Sequence, residues 1–582
     1  MNENALELVC IGWLKELGYE CLEEVKVNPE ENIKIRKSYT ECILQSRLRE
    51  AIERLNFDAT NEEKELGFQK LNGFSANSML VGNQKIYDWL RNGVPVEVKR
   101  DDGTIVVKRL KIFDFDGDNK YSVVRHMSIM GLKLARPDLI LFVNGLPLVI
   151  IELSQSNDSE LNIEKAYDQI QDYKSYIPQI FNFNLFNVIT DGFQARYGSF
   201  TESFERFLPW RLLNESILDS QNEFEVLIKG LLNPKTLMDF FKGFVIYLDE
   251  DGVQPHKIIA QWHQYHDTKG LCQRLSSCFL SKDVGKKTVI WHTKGLGKTL
   301  KAIMFVINIR SLPEFNNPSV VIVTDHNVSE NHWYKEFTSS SWSLRDIPQK
   351  AESRAVLKSY LDEVDAGGIF FAGINHFVIG ENKVVDAVCT RSNIIVIWNE
   401  IHRSQSAFKA APDNKLGYFE NGVVQYMHTA FPNATHLGIT ATPISYVDTD
   451  VVFDLYVDKY DMIAAQKDGT NVPIGYERRL LKFSIEKTEQ KSLVNKDVEI
   501  FNGSMKILAK DFVKHWELRK EQMEGKAIFV AFSRHAAVEL YNEVITIKPD
   551  WHHPDVDKGK IKVVMSCRVS DPEEFQPHRT TK

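Results

Sequence analysis

The sequence predicts an α/β chain of several domains, and three observations carry that expectation. Its 582 residues exceed one core, because at ~150 residues per domain the length points to about four. Short apolar runs of strand length recur between helical stretches through most of the chain. A hydrophobic content of 43% with 34 Phe and 10 Trp supplies several cores, which excludes a mainly disordered protein.

The elements follow in chain order. The first twenty residues read as an acidic amphipathic helix rather than a signal peptide. Residues 45–55 again place apolar side chains at helical spacing. From about residue 80 the pattern turns to strands, at 93–100, 104–115, 139–143 and 147–153. Asn144-Gly145 between the last two marks a hairpin turn. A helix is expected over 160–177 and a strand over 185–190. A second rhythm begins after about residue 230. Its strands are expected at 289–291, 319–325, 367–374, 393–400 and 436–443, separated by helical or mixed stretches, as in a parallel sheet covered on both faces. A third segment, from about 475, carries strand candidates at 526–532 and 560–566 around a helix.

Charge and cysteine usage narrow the class. Lys+Arg 71 against Asp+Glu 79 gives a net charge of −8, which argues against a binder relying on bulk positive charge but allows a locally basic groove. Seven sparse cysteines without zinc-finger spacing read as free thiols of a reducing compartment. The longest apolar stretch, 139–153, is broken by Asn144, Gly145 and Pro147, so no membrane span is expected and the chain reads as soluble and cytoplasmic.

The motifs carry the chemistry. His292-Thr293-Lys294-Gly295-Leu296-Gly297-Lys298-Thr299 lies between a strand and a helix, the setting of a phosphate-binding loop. Gly295 and Gly297 let backbone N–H groups approach phosphates, Lys298 reaches the β- and γ-phosphates, and Thr299 holds Mg²⁺. His292 stands where the strict pattern has a further Gly. The strand 394–398 runs into Asn399-Glu400, where a motor holds Mg²⁺ and polarises water; Glu400 fits the water-activating role. Asn399 keeps a carbonyl oxygen but lacks the expected carboxylate. Thr440 and Thr442 follow another strand and suit ATP-state sensing or backbone contact, and Gln264, about 30 residues before the loop, suits reading adenine. Upstream, Asp138 and Glu152 fall on adjacent antiparallel strands, where their carboxylates converge on one Mg²⁺ as in a metal-dependent nuclease. Gln169 and Tyr173 share a helix face at i and i+4.

In this order the motor motifs resemble superfamily 2 helicases and translocases. His402-Arg403-Ser404-Gln405 and Gln264-Tyr265 narrow the resemblance to the R (motor) subunit of type I restriction enzymes. Arg136-Pro137-Asp138, the run 142–148, Ile151-Glu152-Leu153 and the Gln169/Tyr173 pair resemble the PD-(D/E)xK nuclease of the same family. The resemblance implies an endonuclease domain over 1–230, a first RecA-like ATP-binding lobe over 231–470, and the start of a second over 471–582. It implies ATP and Mg²⁺ as cofactors, translocation on double-stranded DNA coupled to cleavage, and assembly with methylation and specificity subunits. One departure is serious: Ser154 stands where the nuclease motif has Lys, leaving Lys165 on the next helix as the substitute to test. Two rival expectations are a degenerate binding protein without turnover and another superfamily 2 translocase.

Overall fold

The computed structural model describes residues 3–31, 35–99, 103–154, 162–212, 222–249, 255–280, 287–292, 297–324, 327–377, 386–399, 429–440, 455–460, 463, 466, 475–478, 493–555, 558–566 and 571–578. It divides into a unit of Met1–Val472 and a unit of Pro473–Lys582.

The first unit holds two large sheets. The earlier one has six strands in the order Glu20–Glu23, Tyr121–Arg125, Leu139–Val143, Leu146–Leu153, Phe186–Thr190, Ala195–Gly198. Its middle is the predicted hairpin, antiparallel from Leu139↔Ile151 to Val143↔Leu146. Asn144 (φ 49°) and Gly145 (φ 83°) both take the left-handed conformation that a tight two-residue turn requires. A side chain at 145 would meet Leu44 O at 2.5 Å, so glycine is needed there for space as well as for φ. Both hairpin strands are buried along their whole length. Burial on both faces explains why they read as unbroken apolar runs rather than alternating ones.

The later sheet has seven strands, all parallel, in the order Gln349–Ala351, Ile369–Gly373, Ser319–Thr324, Ile394–Asn399, Thr435–Thr440, Lys287–His292, Leu455–Tyr460. Its two faces feed different cores. Val320, Ile322, Ile395 and Ile397 join the core that also contains Ile140 and Ile150 of the first sheet. Val321, Val323, Ile394, Val396 and Trp398 belong to a second cluster. The period-two split is what a sheet buried on both sides requires. The helix Lys298–Arg310 is apolar nearly all round, from Ala302 to Ile309, because it is buried in the first of these cores.

The second unit, among its described residues, is helical. Leu493–Lys520 and Arg534–Ile547 pack through Met505, Ala509, Val513, Ala536, Leu540 and Val544. Residues 526–532 and 560–566 are not strands, contrary to the sequence expectation. A strand exists only by pairing in a ladder, and in the first of these segments Ile528 and Val530 are 88% and 87% exposed.

Candidate functional site

Strand register builds the first site. Pairing Leu139 with Ile151 sets Asp138 beside Glu152 at the open end of the hairpin. The Asp138 N–H donates to Glu152 Oε1 at 3.2 Å, and the Leu153 N–H donates to Asp138 Oδ2 at 2.8 Å. These backbone donors fix both carboxyls, which are 8% and 1% exposed. Burial pushes the Glu152 carboxyl well above the ordinary range, and the neighbouring charge of Asp138 adds to it. Hydrogen bonds from the Asp138 N–H and from Tyr173 pull the other way without cancelling the shift. Tyr173 is buried, and its hydroxyl accepts from Gln169 Nε2 at 3.2 Å. Burial and Glu152 hold the phenol well above its ordinary range, so Tyr173 stays a hydrogen-bond donor towards the acid.

Ser154 donates its N–H to Thr190 O at 2.9 Å at the place where the motif has lysine. Lys165 is exposed, and Ile163, Ala166, Ile170 and Tyr173 form the inward face of its helix. Two further groups join the site that the sequence did not suggest. Glu7, 2% exposed on the first helix, meets Arg125 Nε and lies 3.1 Å from His126 Nε2. His126 takes a left-handed φ of 52° and donates its N–H to Asp138 O at 3.0 Å. Ligand atoms of Glu7, His126 and Asp138 lie within 4.8 Å of one another. Contacts across more than a hundred residues leave no local sequence signal.

The oxygen donors of Asp138 and Glu152 suit a hard divalent cation such as Mg²⁺. Burial first, and the charge of Asp138 second, lift Glu152, and such an ion would relieve both.

The second candidate site lies at the carboxyl ends of the parallel strands. Trp291 pairs with Thr440, and Asn399 with Ile439, so the ends at His292, Asn399 and Thr440 sit side by side. That edge is where open α/β sheets take ligands. Gly297 has φ 66°, and the buried helix begins at Lys298. A side chain at 297 would meet Gln264 Nε2 at 2.7 Å. Gln264 is 2% exposed; it accepts from Gln261 N–H at 2.9 Å and reaches Gly297 O at 3.4 Å. Lys298 is half-buried, and Thr299 and Asn399 are 6% and 4% exposed. Behind the loop Lys301 and Asp267 form a buried ion pair that ties the helix Trp262–Leu280 to the helix Lys298–Arg310. Gly295, Glu400 and Thr442 lie outside the described residues, as does the side chain of Thr440.

Comparison with known proteins agrees with this two-part layout. Residues 1–206 match the model of the type I restriction enzyme R protein N terminus, and residues 263–506 match the SWI2/SNF2 ATPase model. The type I restriction enzyme HindI endonuclease subunit of Haemophilus influenzae is 32% identical over 100% of this chain and 57% of its own length. The SsaAORF53P endonuclease subunit of Staphylococcus saprophyticus, also of a type I enzyme, is 22% identical over 92% of this chain and 55% of that one. The chain thus spans little more than half the length of these relatives. Among solved structures, a nuclease-deletion mutant of the type ISP restriction-modification enzyme LlaGI aligns over 50% of this chain and 27% of that one, at 11% identity and a TM-score of 0.24. With a region like the R-protein N terminus followed by a region like the SWI2/SNF2 ATPase, the chain is similar in both parts and in their order to type I restriction enzyme R subunits.

Proposed function

We propose that this chain couples ATP use to movement on double-stranded DNA and to Mg²⁺-dependent cleavage, as part of a type I restriction complex with methylation and specificity subunits. The proposed division is endonuclease over 1–230, first motor lobe over 231–470 and the start of a second over 471–582. The observation that carries the reading is the register that lines up the strand ends at His292, Asn399 and Thr440 beside the Lys298 helix. In this reading Gly295, Gly297 and the start of that helix bind phosphates, Lys298 neutralises them, and Gln264 positions adenine. Thr299 and Asn399 hold Mg²⁺, Glu400 orients water, and Thr440 and Thr442 respond to the nucleotide. At the other site Asp138 and Glu152 hold a divalent ion, which supplies Lewis-acid charge and an activated water. Gln169 and Tyr173 hold the Glu152 carboxyl in place.

Ser154 and Asn399 support a second reading, a member that binds ATP and DNA with little turnover. Titration calorimetry with Mg-ATP tests the shared premise. Lys298→Ala is expected to weaken binding by about a hundredfold or more, because several charge-assisted contacts go together. Equal affinity in parent and variant would remove the nucleotide assignment from both readings.

A further inference from the structure

Between the two sheet regions, the helix Met79–Asn92 and the short helix Ser341–Leu344 border a cleft of about 520 Å³. Three arginines line it: Arg91 at the end of the first helix, Arg109 on the neighbouring strand Ile105–Leu110, and Arg345 just after the second helix. Asp88 is the one carboxylate among the lining residues. The local balance is therefore three positive charges to one negative, on a chain whose net charge is −8.

Two of the guanidiniums are held by contacts within the cleft. Arg109 Nη1 donates to Gly93 O at 3.2 Å. Arg345 has a left-handed φ of 54°, hydrogen-bonds Asn92 Oδ1 through Nη2 and stands 4.0 Å from Asp88. Burial lowers the Arg345 pKa, and the charges of Arg91 and Arg109 lower it further, against the opposing pull of Asp88. Like charges gathered around one concavity repel, and a multivalent anion with planar oxygen edges relieves that repulsion. Trp342 adds a second kind of contact. Its ring stands edge-on to Tyr247 at 5.1 Å and remains 39% exposed at the cleft. Guanidinium groups with an aromatic platform are the recurring means of holding a nucleic-acid strand. None of these residues belongs to the phosphate loop or to the carboxylate pair.

We infer that this cleft binds a DNA strand, with phosphodiesters on Arg91, Arg109 and Arg345 and a base or sugar against Trp342. The inference rests on the reading of the chain as a DNA-acting R subunit and adds a contact between its two working regions. Phosphodiesters come from a duplex or from a separated strand, and the two are told apart by offering both.

The test is fluorescence anisotropy of the full chain with labelled oligonucleotides of about 20 nucleotides, single-stranded and duplex, over a salt series. The double variant Arg91→Gln/Arg109→Gln leaves the Arg345 contacts with Asn92 and Asp88 intact. It is expected to lose about tenfold in affinity and to flatten the logarithmic salt dependence by roughly 1.5 to 2, because two phosphate contacts go. Trp342→Ala should weaken the single strand more than the duplex if a base stacks there. Losses shared by both forms support the cleft as a backbone site, and losses confined to one form support it and name its source. Mg-ATP affinity unchanged from the parent shows that the variant is folded. Unchanged DNA affinity and salt slope in the double variant would overturn the inference while leaving the R-subunit reading intact. A parent chain that binds neither form overturns it too, and ATP binding then judges the functional reading separately.

Discussion

At the hairpin, two acids are set side by side by strand register and held by backbone N–H donors, and Glu152 is pushed towards protonation by burial and then by the charge of Asp138. At the sheet edge a lysine opens a helix beside a buried glutamine, and the neighbouring strand ends in an amide, Asn399, in place of a carboxylate. In the proposed reading the first site carries Ser154 where a lysine is expected, and the second carries Asn399 where a carboxylate is expected. The comparison teaches that the scaffolds and the charges of these sites are separable. Backbone register and the helix start bring the residues of both sites together, and the proposed role of residues 154 and 399 is to set the charge there.

Breaking one ion of each buried pair should therefore have opposite effects on stability. Asp267→Ala removes the carboxylate paired with the buried Lys301 and is expected to cost about 3–5 kcal/mol in denaturant unfolding. Asp138→Asn keeps an acceptor for the Leu153 N–H and relieves the repulsion on Glu152, so its stability should equal or exceed that of the parent. Destabilisation of similar size in both would collapse the distinction. A smaller effect is expected at the sheet edge. Asn399→Asp restores a charge-assisted metal contact and should raise ATP hydrolysis in the assembled enzyme about tenfold, at lower Mg²⁺. A rate and Mg²⁺ dependence equal to the parent's would show that Asn399 is not deficient.

The smallest effect concerns a carboxyl outside both sites. Glu202 is pushed up to about 7, chiefly by burial, although it accepts from the Ser199 N–H at 2.8 Å. Lys257 beside it is held well below the ordinary lysine range by burial. Because the folded Glu202 binds its proton more tightly than the unfolded chain does, its contribution favours folding below pH 4.5 and is lost as pH rises towards 7. Glu202→Gln should match the parent at pH 4.5 and exceed it at pH 8 by at least about 1 kcal/mol. Parallel stability–pH curves would mean that Glu202 titrates normally.

Much of this layout is legible in the sequence, because local rules govern it. Asn144-Gly145 permits one turn, and that turn fixes the pairing that sets Asp138 beside Glu152. Gln169 and Tyr173 meet because they are four apart on a helix. The parallel strands announce themselves as apolar runs because both of their faces are buried. What depends on distant contacts is not legible. Glu7 reaches the carboxylate site only through the fold, and Lys301 looks like a surface lysine until Asp267 is placed beside it. Residues 526–532 show the converse, since an apolar run of strand length is not a strand here and Ile528 and Val530 are exposed.

The claim that charge at residue 154 limits the hairpin site is tested most directly by DNA cleavage in the assembled, ATP-driven complex. Parent, Ser154→Lys and Asp138→Ala are compared under single-turnover conditions. Restoring one preorganised positive group beside the scissile phosphate should raise the cleavage rate by about 10²–10³. Asp138→Ala should abolish cutting whether residue 154 is Ser or Lys. Efficient cutting by the parent that does not respond to Ser154→Lys would contradict the account.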